Sequence, residues 1–513
     1  MATTTSIRAT PRGIVTLTVV LLGFLALPMS MSGAGVAVPQ IGSDLDTSGP
    51  AAQWVVTAYF VAASSFMLVA GSLGDAIGRR RVYRSGAMVY TLGCLGAAFA
   101  PNVAILLSAR VLTGLGAAGV MAGGGAILGA TFSDAARARA FAAMGTTSGL
   151  GLAFGPTFSG WLVDGLGWRL GFGAFVLPGL LLIAGTLLMS ETRAENAPRI
   201  DVAGAVTFIA CLATLMFTIM QGSSLGWMSP TVLVLLGCIA LLLGLFVIIE
   251  RRAANPILNL SLLRQRGFQG WLLAAITMSI GFGGVLNFLP SYLQAPVGLT
   301  AANAGMVMIL PTLPMMILPA VGGWLIGKRS SPSIIIASAL LAIAGGNAWL
   351  ATLHPMVTPL GLTGPLILLG AGVGLASGII DAQAMNEVGE NEVGMVAGML
   401  NTVRGTSNAL ILGVFGSALI TILAGRIDST DLAGQVATGN LPNTTDTGFL
   451  AAQLTDTWRI VLMTLAGLCG IAAIATTALV RRSSHDGQHG CRNHAEIPRE
   501  SVNKPGSRNR SRH

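Results

Sequence analysis

Long uncharged apolar runs recur along the whole chain, and they constrain its fold more than any other feature. Residues 202–220 and 231–249 are each 19 residues without a charge. At about 1.5 Å of rise per residue, a helix of that length approaches the ~30 Å hydrocarbon core of a bilayer. A backbone inside lipid must satisfy its own hydrogen bonds, so such runs predict membrane-spanning helices. The chain is therefore predicted to be an all-α integral membrane protein.

The distribution of charge excludes several classes of protein. Charged residues make up only 10% of the 513 residues, whereas a soluble domain carries about a quarter. The net charge is +9, but the basic residues lie in short segments between apolar runs, so no nucleic-acid partner is expected. The five cysteines show no CxxC or metal-ligand spacing, and we expect neither a metal nor a cofactor. The partner that the composition implies is the lipid bilayer.

Fourteen apolar spans can be placed along the sequence. We interpret 14–38 as a retained first helix, because it is longer than the apolar part of a typical signal peptide. The approximate bounds of the predicted spans are 14–38, 51–73, 82–101, 103–131, 141–163, 170–189, 202–221, 230–249, 270–293, 302–326, 333–353, 362–380, 394–424 and 458–480.

Lys and Arg concentrate in alternate connections between these spans. The connections on the outer side hold only Arg169, Arg426 and Arg459. Cytoplasmic loops carry an excess of Lys and Arg, so this asymmetry places both termini in the cytoplasm and predicts a multi-pass protein of the bacterial inner membrane. The inner connections carry Arg79, Arg80, Arg81, Arg84, Arg137, Arg139, Arg193, Arg199, Arg251, Arg252, Arg264, Arg266, Lys328, Arg329, Arg481 and Arg482.

A glycine-rich basic segment joins the second and third spans. It carries Gly71, Gly74, Asp75 and Gly78, followed by Arg79–Arg81. In its residues, their spacing, its span number and its side of the membrane, the segment resembles the signature loop of the major facilitator superfamily. A carboxylate near a helix end can accept hydrogen bonds from the amides at the N-terminus of a neighbouring helix, where the macrodipole is positive. The resemblance implies that Asp75 and the three arginines latch a cytoplasmic gate against the span that begins near Gly394.

A degenerate second copy of this loop, residues 323–329, follows the tenth span, with Gly327 at the aspartate position. The two copies predict two pseudo-symmetric six-helix halves, and the helix pair 202–249 gives a 6+2+6 plan. This plan resembles the fourteen-helix drug:proton antiporters of the EmrB/QacA type. The predicted organisation is a cytoplasmic N-terminus (1–13), a first half (14–190), an inserted helix pair with its linkers (191–267), a second half (268–480) and a disordered basic tail (481–513).

Two further motifs refine the resemblance. Residues 107–116 resemble the fourth-helix motif of the superfamily, and they place Arg110 inside an apolar run, where a charge is costly and usually functional. The resemblance makes Arg110 a candidate for proton coupling, with snorkelling toward the outer interface as the alternative. Residues 151–160 resemble the antiporter motif of exporters, although Ser159 replaces a glycine. The antiporter-motif residues are Gly151, Gly155, Pro156 and Gly160.

The first span departs from the pattern of these antiporters. Ser30 stands where the family usually carries an acidic residue. Acidic residues near span ends include Asp44, Asp46, Asp164 and Asp381, and none lies deep in a predicted span. This pattern favours neutral or anionic substrates over cationic ones, since a cation crossing the bilayer would normally require an anionic partner.

The remaining site candidates belong to the predicted central cavity and to the second half. Ser30, Met31 and Asn287 are candidates for the lining of a substrate cavity, although apolar packing is the other role open to the methionine. Asp381 and Arg404 are further candidates for proton coupling, and a structural pair between them is an equal alternative.

The sequence therefore predicts a secondary transporter and not an enzyme. We expect a monomer that exports a hydrophobic small molecule, an antibiotic or drug, by proton antiport and alternating access, with protons and the small molecule as its ligands. An uptake or metabolite transporter of the same fold is the first alternative, which the Gly155-Pro156 motif opposes. A membrane sensor or enzyme is the second, which the lack of a catalytic constellation opposes. The Thr-, Asp- and Gly-rich segment 426–457 is predicted to be an exposed outer loop.

Overall fold

The architecture is helical throughout the part of the chain that the computed structural model describes. That part comprises residues 11–47, 49–132, 134–192, 201–253, 265–327, 331–352, 354, 358–386, 393–441 and 447–495. Its sixteen helices are α1 (Pro11–Asp44), α2 (Gly49–Ile77), α3 (Arg79–Ala98), α4 (Val103–Thr131), α5 (Asp134–Gly173), α6 (Val176–Thr186), α7 (Val202–Leu225), α8 (Pro230–Arg252), α9 (Arg266–Gln294), α10 (Ala301–Val307), α11 (Ile309–Gly327), α12 (Pro332–Leu350), α13 (Thr363–Asn386), α14 (Val393–Ile427), α15 (Thr430–Ala437) and α16 (Thr447–Ala495).

Eleven helical segments within these residues are long and apolar enough to cross a membrane. One of them, Ala143–Thr186, covers two predicted spans. It is interrupted at Gly167, whose backbone φ of 79° is not helical. The predicted second span contributes a shorter apolar stretch, Ala51–Met67, and α3 starts with three arginines that lower its mean hydropathy.

The helices pack into two bundles, α1–α6 and α9–α14 with α16. Close crossings depend on residues without side chains. A Cβ at Gly93 of α3 would lie 2.9 Å from the carbonyl oxygen of Ala109 in α4, and one at Gly372 of α13 would lie 2.6 Å from that of Ala339 in α12. Small residues at such crossings let helix backbones approach closely in lipid, where no hydrophobic force drives them together.

The inserted pair α7–α8 lies beside the line where the two bundles meet. Helix α7 packs against both α2 and α14, whereas α8 packs mainly against α7. Large apolar residues of α8, among them Val234, Leu241 and Leu243, are more than half exposed. That exposure is expected of a helix that faces lipid acyl chains.

The segment 426–457 is not the exposed loop that its composition predicts. Helix α15 forms within it, starting at the N-cap Ser429, whose side chain accepts a hydrogen bond from Leu432 N. Ala433 and Val436 on one face of α15 are buried, and this apolar face explains why the polar composition was misleading. At the other boundary, α16 continues to Ala495, past the predicted start of the tail at 481; the tail from 496 to 513 lies outside the described residues.

Candidate functional site

The two bundles meet tightly at one end of the molecule, which we call the sealed end. It contains the C-terminal turns of α1 and α9. Ser291 Oγ donates to Gly35 O at 3.2 Å, and Gln294 Nε2 donates to Val36 O at 3.1 Å. A Cβ at Gly35 would collide with the backbone oxygen of Asn287. The two backbones are therefore in direct contact at this crossing.

A second inter-bundle contact at the sealed end joins α5 to α10. The Asp164 carboxylate accepts hydrogen bonds from the backbone N–H groups of Ala301, at 3.0 Å, and Ala302, at 2.8 Å. These are first-turn amides of a helix, which have no partner within the helix and carry its positive partial charge. Thr157 Oγ1 adds a hydrogen bond of 2.7 Å to Gly305 O. A carboxylate of the first bundle thus caps a helix of the second.

The antiporter-motif residues make two sets of contacts, with α1 in their own bundle and with α10 in the other. A Cβ at Gly155 would lie 2.6 Å from Met29 O of α1, and one at Gly151 would collide with the backbone of the same helix. One turn further along α5, a Cβ at Gly160 would collide with Ala301 O of α10. A Cβ at Gly305 of α10 would lie 2.5 Å from Pro156 O. The motif therefore brings α5 against α1 on one side and against the second bundle on the other.

Contacts between the bundles are sparser among the described residues toward the opposite end, where α2 finishes and which we call the open end. Helices α2 and α14 meet at Gln53 and Gly416 and again at Ser64 and Gly405. Closer to the end of α2, a Cβ at Gly71 would meet nothing within 4 Å in the described part of the chain. Among the described residues, the glycine contacts between α2 and α14 therefore lie before Gly71.

The N-terminal half of α5 has similarly open surroundings. Cβ atoms at Gly145 and Gly149 would likewise meet nothing within 4 Å among the described residues. These glycines precede the antiporter motif on the same helix, so α5 passes from open surroundings to close contact within a few turns.

The signature loop lies at the open end, between α2 and α3. Gly78 has a φ of 119°, a left-handed conformation that favours glycine. Arg79 Nη1 donates to Ala126 O of α4 at 3.4 Å, and Gly74 lies against the Arg79 side chain. Asp75 lies in the last turn of α2, but its side chain is outside the described part of the structure. Its predicted contact with the N-terminus of α14 therefore remains a prediction.

Glu191, which the sequence analysis missed, caps α3 at this loop. Its Oε1 accepts a hydrogen bond of 3.0 Å from Arg80 N, and its Oε2 lies 3.8 Å from Arg81 Nε. A Cβ at Gly78 would lie 2.7 Å from Oε1. Glu191 follows the sixth predicted span, and the predicted topology places it on the same side of the membrane as the basic loop. This location and its negative charge were the sequence signals that could have indicated a contact with the arginines.

Arg110 is held in the interior of the first bundle, with 1% of its surface exposed. Nε donates to Val55 O at 2.8 Å, and the guanidinium carbon lies 4.8 Å from the ring centroid of Tyr59 and 5.2 Å from that of Phe172. Within the described residues, no carboxylate pairs with Arg110 and Nη2 has no hydrogen-bond partner. Arg110 is therefore enclosed within the first bundle, and its predicted role in proton coupling stays a prediction.

The predicted cavity residues lie at different depths. Ser30 is 1% exposed and lines a small cavity of about 10 Å³ together with Ser159, Phe172 and other residues of the first bundle. Met31 is partly exposed. Asn287 is buried in α9, where Nδ2 donates to Gly283 O at 2.9 Å. Of these three side chains, Ser30 alone is among the residues that line this cavity.

The two candidates of the second bundle pair with each other. Arg404 Nη2 lies 2.8 Å from Asp381 Oδ1, and Nη1 donates to Oδ2 at 3.2 Å. The side chain of Asp381 is 41% exposed and that of Arg404 is 19% exposed. This ion pair joins α13 to α14, and it is separate from Arg110 in the first bundle.

A second acidic residue that the sequence did not single out is buried between α7 and α8. Glu250 of α8 is only 3% exposed, although it directly follows the predicted span 230–249. It lies close to Gly204 at the start of α7, next to Asp201, whose Oδ1 accepts from Gly204 N at 2.8 Å. The end of an apolar run does not reveal whether its flanking charge turns inward.

Comparison with known proteins gives a consistent result. Residues 20–412 match the family described as the Major Facilitator Superfamily. The chain is 30% identical over 409 residues to the multidrug resistance protein Stp of Mycobacterium tuberculosis, covering 79% of this chain and 76% of that one. It is 31% identical over 403 residues to the puromycin resistance protein pur8 of Streptomyces alboniger, covering 77% and 79%.

The fold also matches solved structures. A crystal structure of a bacterial homologue of the human lysosomal transporter Spinster, in an inward-facing and unoccupied conformation, aligns with a TM-score of 0.66 and 16% identity. The alignment covers 93% of this chain and 99% of that chain.

Proposed function

The chain belongs to the major facilitator superfamily and is a multi-pass membrane transporter rather than an enzyme, and from that premise we propose that it exports a hydrophobic small molecule by alternating access. The names of its relatives, which refer to multidrug and puromycin resistance, support an antibiotic or a drug as the substrate class. The antiporter motif at residues 151–160 supports export over uptake.

The proposed topology has fourteen spans in a 6+2+6 arrangement. The break at Gly167 supports the division of Ala143–Thr186 into two spans, and the position of α7 and α8 outside the two bundles supports their assignment as the inserted pair. The Lys and Arg distribution supports an inner-membrane location with both termini in the cytoplasm. In that orientation, the open end faces the cytoplasm and the sealed end faces outward.

One observation carries the proposal: the bundles are in backbone contact at the sealed end, whereas glycines of α2 and α5 toward the open end meet nothing within 4 Å among the described residues. A transporter that works by alternating access must close one side of its central site while the other is open. The contacts of Gly35 with Asn287 and of Gly160 with Ala301 would supply this closure on the outer side. An outward-open state would require this outer seam to part and the open end to close, which is the step in which Asp75 would latch α2 to α14.

The acidic residues bear on the substrate and on the energy source. No Asp or Glu of α1 lies in the predicted first span, and Asp44 is at the end of the helix, so neutral or anionic compounds fit this bundle better than cations. We propose the ion pair Asp381–Arg404 as the site of proton coupling, because it is a direct contact between a carboxylate and a guanidinium that joins α13 to α14. Arg110 would respond to protonation of that pair through the packing of the first bundle. The proposed functional unit is the monomer.

The proposal can be tested in inverted membrane vesicles, whose outer face is the cytoplasmic one. Puromycin and a panel of other hydrophobic compounds should accumulate inside when the vesicle interior is acidified, and a protonophore should abolish the accumulation. Accumulation that does not respond to the pH gradient would overturn proton coupling and leave export standing. If no compound accumulated above vesicles that lack the protein, export itself would be wrong.

A further inference from the structure

The side-chain amide of Gln53 in α2 is buried at the contact between the two bundles without a hydrogen-bond partner. Gln53 is 2% exposed, and within the described structure neither its Oε1 nor its Nε2 has a hydrogen-bond partner. Such an amide can accept two hydrogen bonds and donate two. Buried polar atoms nearly always have a partner, so an amide that lacks one at both atoms requires an explanation.

The amide of Gln53 lies directly against the other bundle. A Cβ at Gly416 of α14 would lie 2.3 Å from Gln53 Oε1 and 2.8 Å from Nε2, so the missing side chain of the glycine provides the space for the amide. Gln53 is the fifth residue of α2, which finishes at the open end. The unsatisfied amide therefore belongs to the part of the α2–α14 contact that is nearer to the sealed end.

Other polar side chains of α2 differ from Gln53 in where their partners lie. Ser64, which meets Gly405 of α14, donates from its Oγ to Phe60 O at 2.6 Å. Thr57 Oγ1 donates to the backbone oxygen of Gln53 at 3.1 Å. In both bonds the donor and the acceptor lie on α2, so the bonds do not depend on how the bundles are arranged. The hydrogen bonding of the Gln53 amide depends on what lies opposite it.

Alternating access, the proposed function on which this inference rests, gives the missing hydrogen bonds a consequence. A polar group that is buried without a partner loses its hydrogen bonds to water and gains none in return. An outward-open state would part α2 from α14 at this end and admit water to the amide. The penalty therefore raises the free energy of the closed arrangement and not that of the outward-open one.

We propose that Gln53 is a positioning residue of the outer gate, whose amide lacks hydrogen bonds while the sealed end is closed and recovers them from water when it opens. The amide thereby narrows the free-energy gap between the two conformations and makes the outward-open one easier to reach. An apolar side chain of the same length would stabilise the closed arrangement.

Gln53→Met tests the first half of the proposal, because methionine has nearly the same length and needs no hydrogen bond. The thermal midpoint of the purified full-length protein should rise by about 1–3 °C, since an unsatisfied buried group is removed. Thr57→Val is the matched control, because it also makes a buried side chain of α2 apolar at constant shape, but it removes a hydroxyl that already has a partner. A midpoint of Gln53→Met at or below that of the parent, or an equal rise in Thr57→Val, would overturn the proposal. The amide would then have a partner in the closed arrangement, such as a buried water.

The second half of the proposal is tested by the reactivity of a thiol at the sealed end. Ser291→Cys, in a chain whose native cysteines are replaced, puts the thiol at a position that is 3% exposed. A membrane-impermeant maleimide should modify it only when the sealed end opens, so the rate follows the outward-open population even when that population is small. Adding Gln53→Met should slow the modification by at least about fivefold, whereas adding Thr57→Val should leave the rate unchanged. An unchanged rate with Gln53→Met would overturn the gating role, because the penalty would then be equal in both conformations.

Two provisions keep the outcome decisive. If Gln53→Met does not fold, Gln53→Leu replaces it in both measurements, with the same expected directions. If the maleimide never modifies the Ser291→Cys thiol, even without a second substitution, opening at this end is wrong and the gating role falls with it. Neither readout uses transport, so a failure that is specific to Gln53 is distinguishable from a failure of export.

Discussion

Gly160→Ala is the most direct perturbation of the sealed end. Gly160 is an antiporter-motif residue, and it contacts the backbone of α10 in the other bundle. A methyl group there would collide with Ala301 O, and it would lie 2.9 Å from the carbonyl carbon of Ala301. Both are backbone atoms, which cannot rotate away as a side chain can. The substitution therefore forces α5 and α10 apart by several tenths of an ångström.

The size of the effect follows from where the collision occurs. An ordinary van der Waals contact of a Cβ lies at 3.4–4 Å, and overpacking of a tight contact costs about 1–3 kcal/mol. In the proposed alternating-access mechanism, this cost applies only when the sealed end is closed, because an outward-open state would separate α5 from α10. A difference of 1–3 kcal/mol corresponds to about a 5–150-fold shift in the equilibrium between the two conformations. We therefore expect the outward-open population to increase by at least about fivefold.

Electron–electron distance measurements can follow this population. Spin labels at Ser43 and Asn303, both exposed at the sealed end, report the separation of α1 from α10 once the native cysteines are replaced. Gly149→Ala is the matched control, because it adds the same methyl group to the same helix where nothing in the described structure lies within 4 Å. Gly160→Ala should show a larger long-distance fraction than both the parent and the control. Identical distance distributions in all three proteins would refute the inferred role of the seam.

Three further substitutions test other contacts. Asp164→Asn removes the charge that caps α10, which we expect to weaken the outer seam by about 1 kcal/mol; the same labelled pair should show a smaller rise than in Gly160→Ala, and an unchanged distribution would exclude Asp164 from the seal. Asp75→Asn should sharply reduce export in the vesicle assay while membrane insertion stays intact, and normal export would remove Asp75 from the gate. Glu191→Gln removes the charge at the N-terminus of α3 and should cost about 0.3–1 kcal/mol, visible as a lower thermal midpoint of the purified protein; a midpoint at or above that of the parent would contradict the capping role.

The antiporter motif at residues 151–160 was recognised from the sequence, but the helices that pack against it were not. The glycine spacing of residues 151–160 indicates a close helix contact, and the structure shows that contact on two sides, with α1 and with α10. The α10 partner is 141 residues further along the chain when Gly160 and Ala301 are compared. Asp164 likewise looked like an ordinary acidic residue near a span end. Its role as a cap depends on the docking of two bundles, for which one sequence carries no distance information.

The sequence singled out one buried charged residue and missed another, because burial also depends on how the helices pack. Arg110 was recognised because it lies in the middle of an apolar run, where any charge is unusual. Glu250 was missed because it lies at the end of a run, where a charge normally faces water. The structure buries it to 3% exposure against the start of α7. The prediction of an exposed outer loop at 426–457 was wrong for a similar reason. The few apolar residues that form the buried face of α15 are interspersed with polar residues in the sequence.

The sequence by itself determined that this chain spans a membrane as helices, since hydrocarbon offers an uncharged run of about 19 residues no other way to satisfy its backbone. Its loop motifs also predicted the superfamily, because those spacings occur in contiguous segments. The tertiary structure alone decided which end of the molecule is sealed and which groups surround Arg110. Both depend on contacts between residues far apart in the chain, such as Gly35 with Asn287 and Ser30 with Tyr90, and these contacts exist only after the helices have packed.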